Sequence, residues 1–151
     1  MKNVIVPDAN VFIKLLNPEH DSNQALQFFR DCAIYDSTLV VPELFVYETI
    51  EITRKFNEGF EKTLRLIESY KNTLLEIISP DPDTWQTAEK ITQHGHPKSG
   101  YPSVYDAIYH AIAIENKGIF VTADKRHYDK SQHFGHIVLL SDWKNVTNKL
   151  R

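Results

Sequence analysis

Four acidic residues stand in four apolar frames. Asp8 follows Val4-Ile5-Val6-Pro7, Glu48 follows Leu44-Phe45-Val46-Tyr47, Asp106 sits in Ser103-Val104-Tyr105-Asp106-Ala107, and Asp124 follows Ile119-Phe120-Val121-Thr122-Ala123. An isolated carboxylate among apolar neighbours is costly unless something compensates it. One divalent metal site gathering all four would compensate them together. Magnesium and manganese take oxygen ligands, and a carboxylate set without histidine or cysteine suits them better than zinc. Two such ions can bind both the attacking water and the leaving oxygen of a phosphodiester. The chemistry indicated is metal-assisted phosphodiester hydrolysis.

Each acid also has an ordinary reading. Asp8 could cap a helix beginning near Asn10, a role compatible with metal binding because a carboxylate has two oxygens. Glu48 shares a helical face with Phe45, Thr49 and Ile52 and needs a partner, which could be a lysine or arginine elsewhere. Ser103 and Asp106 match the serine-to-acid spacing of a capping box. Asp124 could be a turn residue closing a strand. Glu43 and Glu51 read as solvated acids.

The elements that must position these residues alternate between strand and helix. Val4–Pro7 reads as a buried strand, Asn10–Leu16 as a helix stopped at Asn17-Pro18, and Ser22 as the cap of a helix to about Ile34. Leu39–Val41 is a second strand. Pro42 suits the first turn of a long helix running to about Asn57, and Gly59 separates it from a helix over Phe60–Asn72. Leu74–Ile78 is strand-like, and Asp83 with Gln86 resembles a capping box opening a helix to about Gln93. Gly95–Pro102 is a loop, Ser103–Asn116 a helix, Ile119–Thr122 and Ile137–Leu140 strands, and Asp142 starts a terminal helix. This alternation predicts an α/β fold with a mainly parallel central sheet flanked by helices, a three-layer α/β/α domain. Ligands of such sheets bind outside the carboxyl ends of the strands. Asp8 and Asp124 directly follow strands, while Glu48 and Asp106 lie on helices that can face the same edge.

The chain has 151 residues, 42% apolar and 25% charged, which fits one globular domain spanning 1–151 with a packed core. A net charge of −3 argues against a nucleic-acid coat protein, whose affinity comes from many phosphate contacts, but not against a nuclease with a local basic rim. The one cysteine, Cys32, excludes an internal disulfide, fits a reducing compartment and reads as a packing thiol. No apolar run approaches the roughly 20 residues that span a bilayer, and no apolar targeting segment opens the chain. A cytoplasmic protein with no membrane partner is expected.

The ordered set of motifs resembles the PIN-domain family. Asp8 with Asn10 in a hydrophobic-Asp-Ala-Asn frame, Pro42 leading to Glu48, Tyr105-Asp106-Ala107, and Thr122-Ala123-Asp124 followed by Tyr128 look like its four acidic positions in order. The resemblance covers nearly the whole chain and is similar in size to VapC-type toxins. It implies a metal-dependent endoribonuclease silenced by a cognate antitoxin. Asp8, Glu48, Asp106 and Asp124 would be catalytic and hold magnesium or manganese, and Asn10 and Thr122 would orient the carboxylates. An activated water would attack phosphorus in line, leaving 5′-phosphate and 3′-hydroxyl ends. Some relatives carry a further acid near the fourth; here Lys125, Arg126 and His127 intervene before Tyr128 and Asp129.

Lys98, Lys125 and Arg126 could contact RNA phosphates, or be solvated surface charge. His110, one turn after Asp106, could donate a proton, touch RNA or simply pack. Tyr101 and Tyr105 could stack bases or pack at the rim, while Trp85 and Trp143 read as structural. Phe45, Phe56, Phe60 and Leu64 around a helix–loop–helix could form a dimer or antitoxin groove, or pack internally. A homodimer is the default oligomer. Two other functions compete: a catalytically silent PIN module binding RNA or protein, and a phosphohydrolase with Asp8 as nucleophile. The last would want a second acid where Asn10 stands.

Overall fold

The computed structural model describes residues 3–150, the last two by backbone alone; Met1, Lys2 and Arg151, at the ends of the expected 1–151 domain, lie outside the described residues. Five strands form one sheet: β1 (Val4–Pro7), β2 (Thr38–Pro42), β3 (Leu75–Ile78), β4 (Ile119–Thr122) and β5 (Ile137–Leu139). Their order is β3-β2-β1-β4-β5 and every pair is parallel. Within the central strands, Val4–Val6, Leu39–Val41 and Ile119–Val121 are short apolar runs because helices cover both faces, while edge strand β3 carries the exposed Glu76.

Eight helices lie among the described residues: α1 (Ala9–Phe12), which tightens into a 3-10 turn over Ile13–Leu15, α2 (Ser22–Ile34), α3 (Leu44–Lys55), α4 (Phe60–Lys71), α5 (Pro82–Gln93), α6 (Val104–Glu115), α7 (Lys125–Ser131) and α8 (Trp143–Leu150). The chain moves outward from β1 to β3, then returns to the other side of β1 and moves outward from β4 to β5. Right-handed crossovers therefore place α1–α4 on one face and α5–α7 on the other, the expected three-layer α/β/α arrangement. The reversal falls between β1 and β4, where Ile5 pairs Ile119 and Val6 pairs Phe120. Such a switch point opens a crevice at the carboxyl ends of its strands.

On the first face Phe12 meets Phe29, Phe45 and Tyr70 edge to face, with ring centroids 5.2–5.9 Å apart. On the second, α6 is apolar nearly all round, and every residue from Ala107 to Ala113 is buried. Gly118 makes the α6–β4 turn possible: a β-carbon there would stand 2.3 Å from the Val4 carbonyl oxygen. Cys32 is buried, and burial pushes its thiol pKa up, as a packing residue should show.

Several expected boundaries shift. Pro42 ends β2, opposite Ile78, rather than opening α3. Ser22 is the first residue of α2, and its hydroxyl accepts from the Glu19 amide 2.8 Å away instead of capping the helix. Asp81, not Asp83, caps α5 by accepting from the Thr84 amide, with Pro82 in the first turn. Helix α7 was not anticipated. Among the described residues no helix is long and apolar enough to cross a membrane.

Candidate active site

Asp8 leaves β1 with its amide bonded to the Val121 carbonyl, continuing the β1–β4 ladder by one step. Its carboxylate then does two jobs. Oδ1 caps α1 by accepting from the Asn10 amide at 3.4 Å, and Oδ2 accepts from the Thr122 hydroxyl at 2.9 Å and from Asn10 Nδ2 at 3.3 Å. Thr122 Oγ1 in turn accepts from the Asp124 amide, and Asn10 Oδ1 accepts from the Ala123 amide, both at 3.1 Å. The two residues expected to orient the acids thus stitch the β1 and β4 turns into one unit.

Asp8 is only 7% exposed. Its carboxyl pKa is pushed up to about 7, chiefly by burial, then by the Asp106 charge, with Glu48 adding to it; the Thr122 and Asn10 hydrogen bonds pull the other way. Glu48, half-buried on α3, is raised mainly by burial and also by Asp106. Its partner is not a cation but the buried Tyr109 hydroxyl, which donates to Oε1 at 2.7 Å. Ser103 caps α6 through the Asp106 amide at 3.1 Å. The Asp106 carboxylate itself stands 3.4 Å from Nδ1 of buried His127. Burial holds the His127 imidazole below its usual range, against the pull of Asp106 and Asp124.

Asp8, Glu48 and Asp106 therefore lie in one another's field. Asp124 is different: it is exposed, and its Oδ1 caps α7 by accepting from the Arg126 and His127 amides at 2.9 and 3.3 Å. It stands at the rim, joined to Asp8 through Thr122. Among the described residues no three of His, Cys, Asp or Glu close to metal-holding distance as the side chains stand. The donor set nonetheless fits magnesium or manganese. It is all oxygen, it carries like charges, and its most buried member is destabilised by the other two.

Of the expected RNA contacts, Lys98 is exposed in the tight hairpin closed by His96 and Gly100. Lys125 and Arg126 are exposed in the first turn of α7, and Lys125 pairs with Asp129 at 3.1 Å. That pair takes up Asp129. His110 is fully buried, with Nε2 2.6 Å from the Gly135 carbonyl, so it packs rather than facing the crevice. Trp143 is structural, edge-on to Phe28 and donating to Asp31. Trp85, expected to be structural, is half-exposed instead. Phe45 belongs to the core, while Phe56, Phe60 and Leu64 face outward.

Sequence reasoning passed over Tyr109 and His127. Tyr109 had a local signal, a hydroxyl three residues after Asp106 on an otherwise apolar helix. His127 had none, because α7 lacks apolar periodicity.

Burial holds the His110 pKa down at about 4, against an ordinary 6.5, with the neighbouring His127, His136 and His133 acting in the same direction. The unfolded chain then takes up this proton before the folded one does. Stability is lost as pH falls from 6.5 toward 4, by roughly 3 kcal/mol for the full span. Asp8, held up at about 7, gains stability over the same range, so the readout is the difference between chains. Denaturant unfolding should show His110→Gln gaining stability relative to the native chain as pH falls from 6.5 toward 4, and parallel profiles would refute it.

Residues 5–132 match the family model of the PIN domain, and the chain belongs to that family. Solved structures with the same fold include VapC20 from Mycobacterium tuberculosis, a toxin that cleaves the sarcin-ricin loop, at 12% identity and a TM-score of 0.60 over 76% of this chain and 84% of that one. A toxin–antitoxin complex from Klebsiella pneumoniae is similar at 18% identity and a TM-score of 0.63, covering 90% and 97%. VapBC2 from Rickettsia felis, bound to a DNA fragment from its promoter, is similar at 13% identity and a TM-score of 0.64, covering 90% and 96%. No curated protein matches the chain in sequence.

Proposed function

We propose that this chain is a metal-dependent endoribonuclease and the toxin of a type II toxin–antitoxin pair, working in the cytoplasm. The observation that carries the reading is the trio at the switch point: buried Asp8, with Glu48 and Asp106 in its field. Asp8, Glu48, Asp106 and, from the rim, Asp124 would hold magnesium or manganese. The bound ion supplies charge neutralisation at the phosphate and an activated water. Asn10 and Thr122 fix the direction of the Asp8 carboxylate. Tyr109 holds one oxygen of Glu48 and leaves the other for the site. Lys98, Lys125 and Arg126 contact RNA phosphates, where positive charge positions the strand without reading its sequence.

The fold shared with toxin–antitoxin complexes supports an antitoxin partner, and the outward row Phe56, Phe60 and Leu64 offers an apolar surface to it or to a second copy in a homodimer. The second reading is a silent PIN module that only binds RNA or protein; Asp124 uses Oδ1 to cap α7 and has one oxygen left for a metal.

Purified protein incubated with total RNA separates the two. Discrete fragments formed with manganese and abolished by EDTA support the nuclease. No cleavage, together with no calorimetric manganese binding by the folded chain, leaves the silent module. Tyr109→Phe keeps the stack on Phe120 but removes the Glu48 hydrogen bond. It is expected to weaken manganese binding about 10- to 100-fold by calorimetry. Unchanged affinity would show that Tyr109 does not position Glu48.

A further inference from the structure

Beside the acid crevice, at the carboxyl ends of β2 and β3, lies a cavity of about 270 Å3. Pro42 and Glu43 line it from the β2–α3 junction, Pro80 from the turn after β3, Trp85 from α5, and Tyr105 and Ile108 from α6. Trp85 and Tyr105 are 50% and 62% exposed, although both are large and apolar. No lysine, arginine or histidine lines the cavity; its one charged side chain is Glu43. A phosphate would meet only a like charge there. A flat ring carrying hydrogen-bond donors on its edge would meet aromatic faces and an acceptor.

That description fits a nucleobase. Bases stack on aromatic side chains, and unpaired RNA exposes their Watson–Crick edges to side chains. A carboxylate accepts only, and its two oxygens can take two neighbouring donors at once. Guanine presents two adjacent donors on that edge, whereas adenine, cytosine and uracil each present one. Ser79 donates to Glu43 Oε1, which fixes the carboxylate at the cavity lip. Two lining residues are neighbours of the acids in the chain: Tyr105 directly precedes Asp106, and Glu43 immediately precedes the helix that carries Glu48.

We propose that this cavity is a nucleobase subsite that takes one unpaired base, guanine in preference, from an RNA strand whose adjoining phosphate lies at the acids. The proposal rests on the ribonuclease reading for its strand, but its test does not require cleavage. The full chain, in EDTA, is titrated with guanosine, adenosine, cytidine and uridine 5′-monophosphates while tryptophan fluorescence is followed. Trp85 reports the cavity, and buried Trp143 gives a constant background.

Saturable quenching is expected, with guanosine monophosphate bound at least about fivefold tighter than the others. Trp85→Phe should remove most of the signal. Glu43→Gln, an exposed change that the fold tolerates, should bring the four affinities within about twofold of one another. Circular dichroism of both variants separates loss of the site from loss of the fold. No saturable quenching by any monophosphate overturns the subsite and leaves the aromatic face to a protein partner. Binding without discrimination, unaltered in Glu43→Gln, overturns the guanine assignment. Quenching without RNA cleavage would sink the nuclease and spare the subsite; cleavage without quenching would do the reverse.

Discussion

Asp8→Asn is expected to lower metal-dependent RNA cleavage at least about a thousandfold, some ~4 kcal/mol of transition-state stabilisation, while the fold remains intact. Asparagine keeps the size of Asp8 and an oxygen that can still accept from the Asn10 amide. It removes the charge on the most buried acid of the trio. That charge is the one the protein holds at greatest cost, since burial, Asp106 and Glu48 all disfavour it. In EDTA the variant should therefore melt no lower than the native chain, because losing an unwelcome buried charge offsets any weakening of the Thr122 hydrogen bond. Cleavage assays and thermal melts on the same preparations check both halves. Cleavage within about tenfold of the native chain would remove Asp8 from the chemistry. A large drop in melting temperature would mean that the carboxylate supports the fold rather than the reaction.

Phe12→Ala should be the most damaging single truncation away from the site. The ring ends α1, four residues after Asp8, and is buried against Phe29, Phe45 and Tyr70, one ring from each of α2, α3 and α4. Its removal opens a cavity where three helices meet, at a cost of about 3–5 kcal/mol. For a chain of this size that corresponds to roughly 10–15 °C in Tm. Ile34→Ala, at a side chain 71% exposed, should stay within about 0.5 kcal/mol and serves as the control. A Phe12→Ala loss below about 1 kcal/mol would contradict the packing described here.

The strands were legible because a parallel strand covered on both faces must be apolar along its whole length. Val4–Val6, Leu39–Val41 and Ile119–Val121 are such runs, and each lies in the sheet. Helix starts were less legible. Pro42, Ser22 and Asp83 each carry a genuine capping or first-turn signal, but Glu43, Asp21 and Asp81 stand one or two positions away and take the cap position instead. Helix α7, Lys-Arg-His-Tyr-Asp-Lys-Ser, has no apolar period to read. It forms because Asp124 caps it and because His127 packs against Phe120 and His110.

Three of the acids were legible as a group because an α/β sheet presents strand ends and helix starts to one edge. What holds them was not. The Tyr109 hydroxyl reaches Glu48 across 61 positions, and no local pattern encodes such a contact. Trp85 reads as a core residue by type, and only the position of α5 shows it facing a cavity.

The hydrogen bond from Thr122 to Asp8 spans 114 positions and joins strands that are neighbours in the sheet but far apart in the chain. During synthesis, one edge of β1 stays bare until residue 119 has emerged, and Asp8 has neither its hydroxyl donor nor its backbone partner Val121. An N-terminal fragment can pair β1 with β2 and β2 with β3, yet it presents an open apolar edge and an incomplete crevice. A growing chain therefore has an incomplete candidate site and is aggregation-prone until β4 is made. On the proposed ribonuclease function, chain growth itself would time the appearance of activity, and a fragment ending before β4 is expected to leave RNA intact in the cleavage assay.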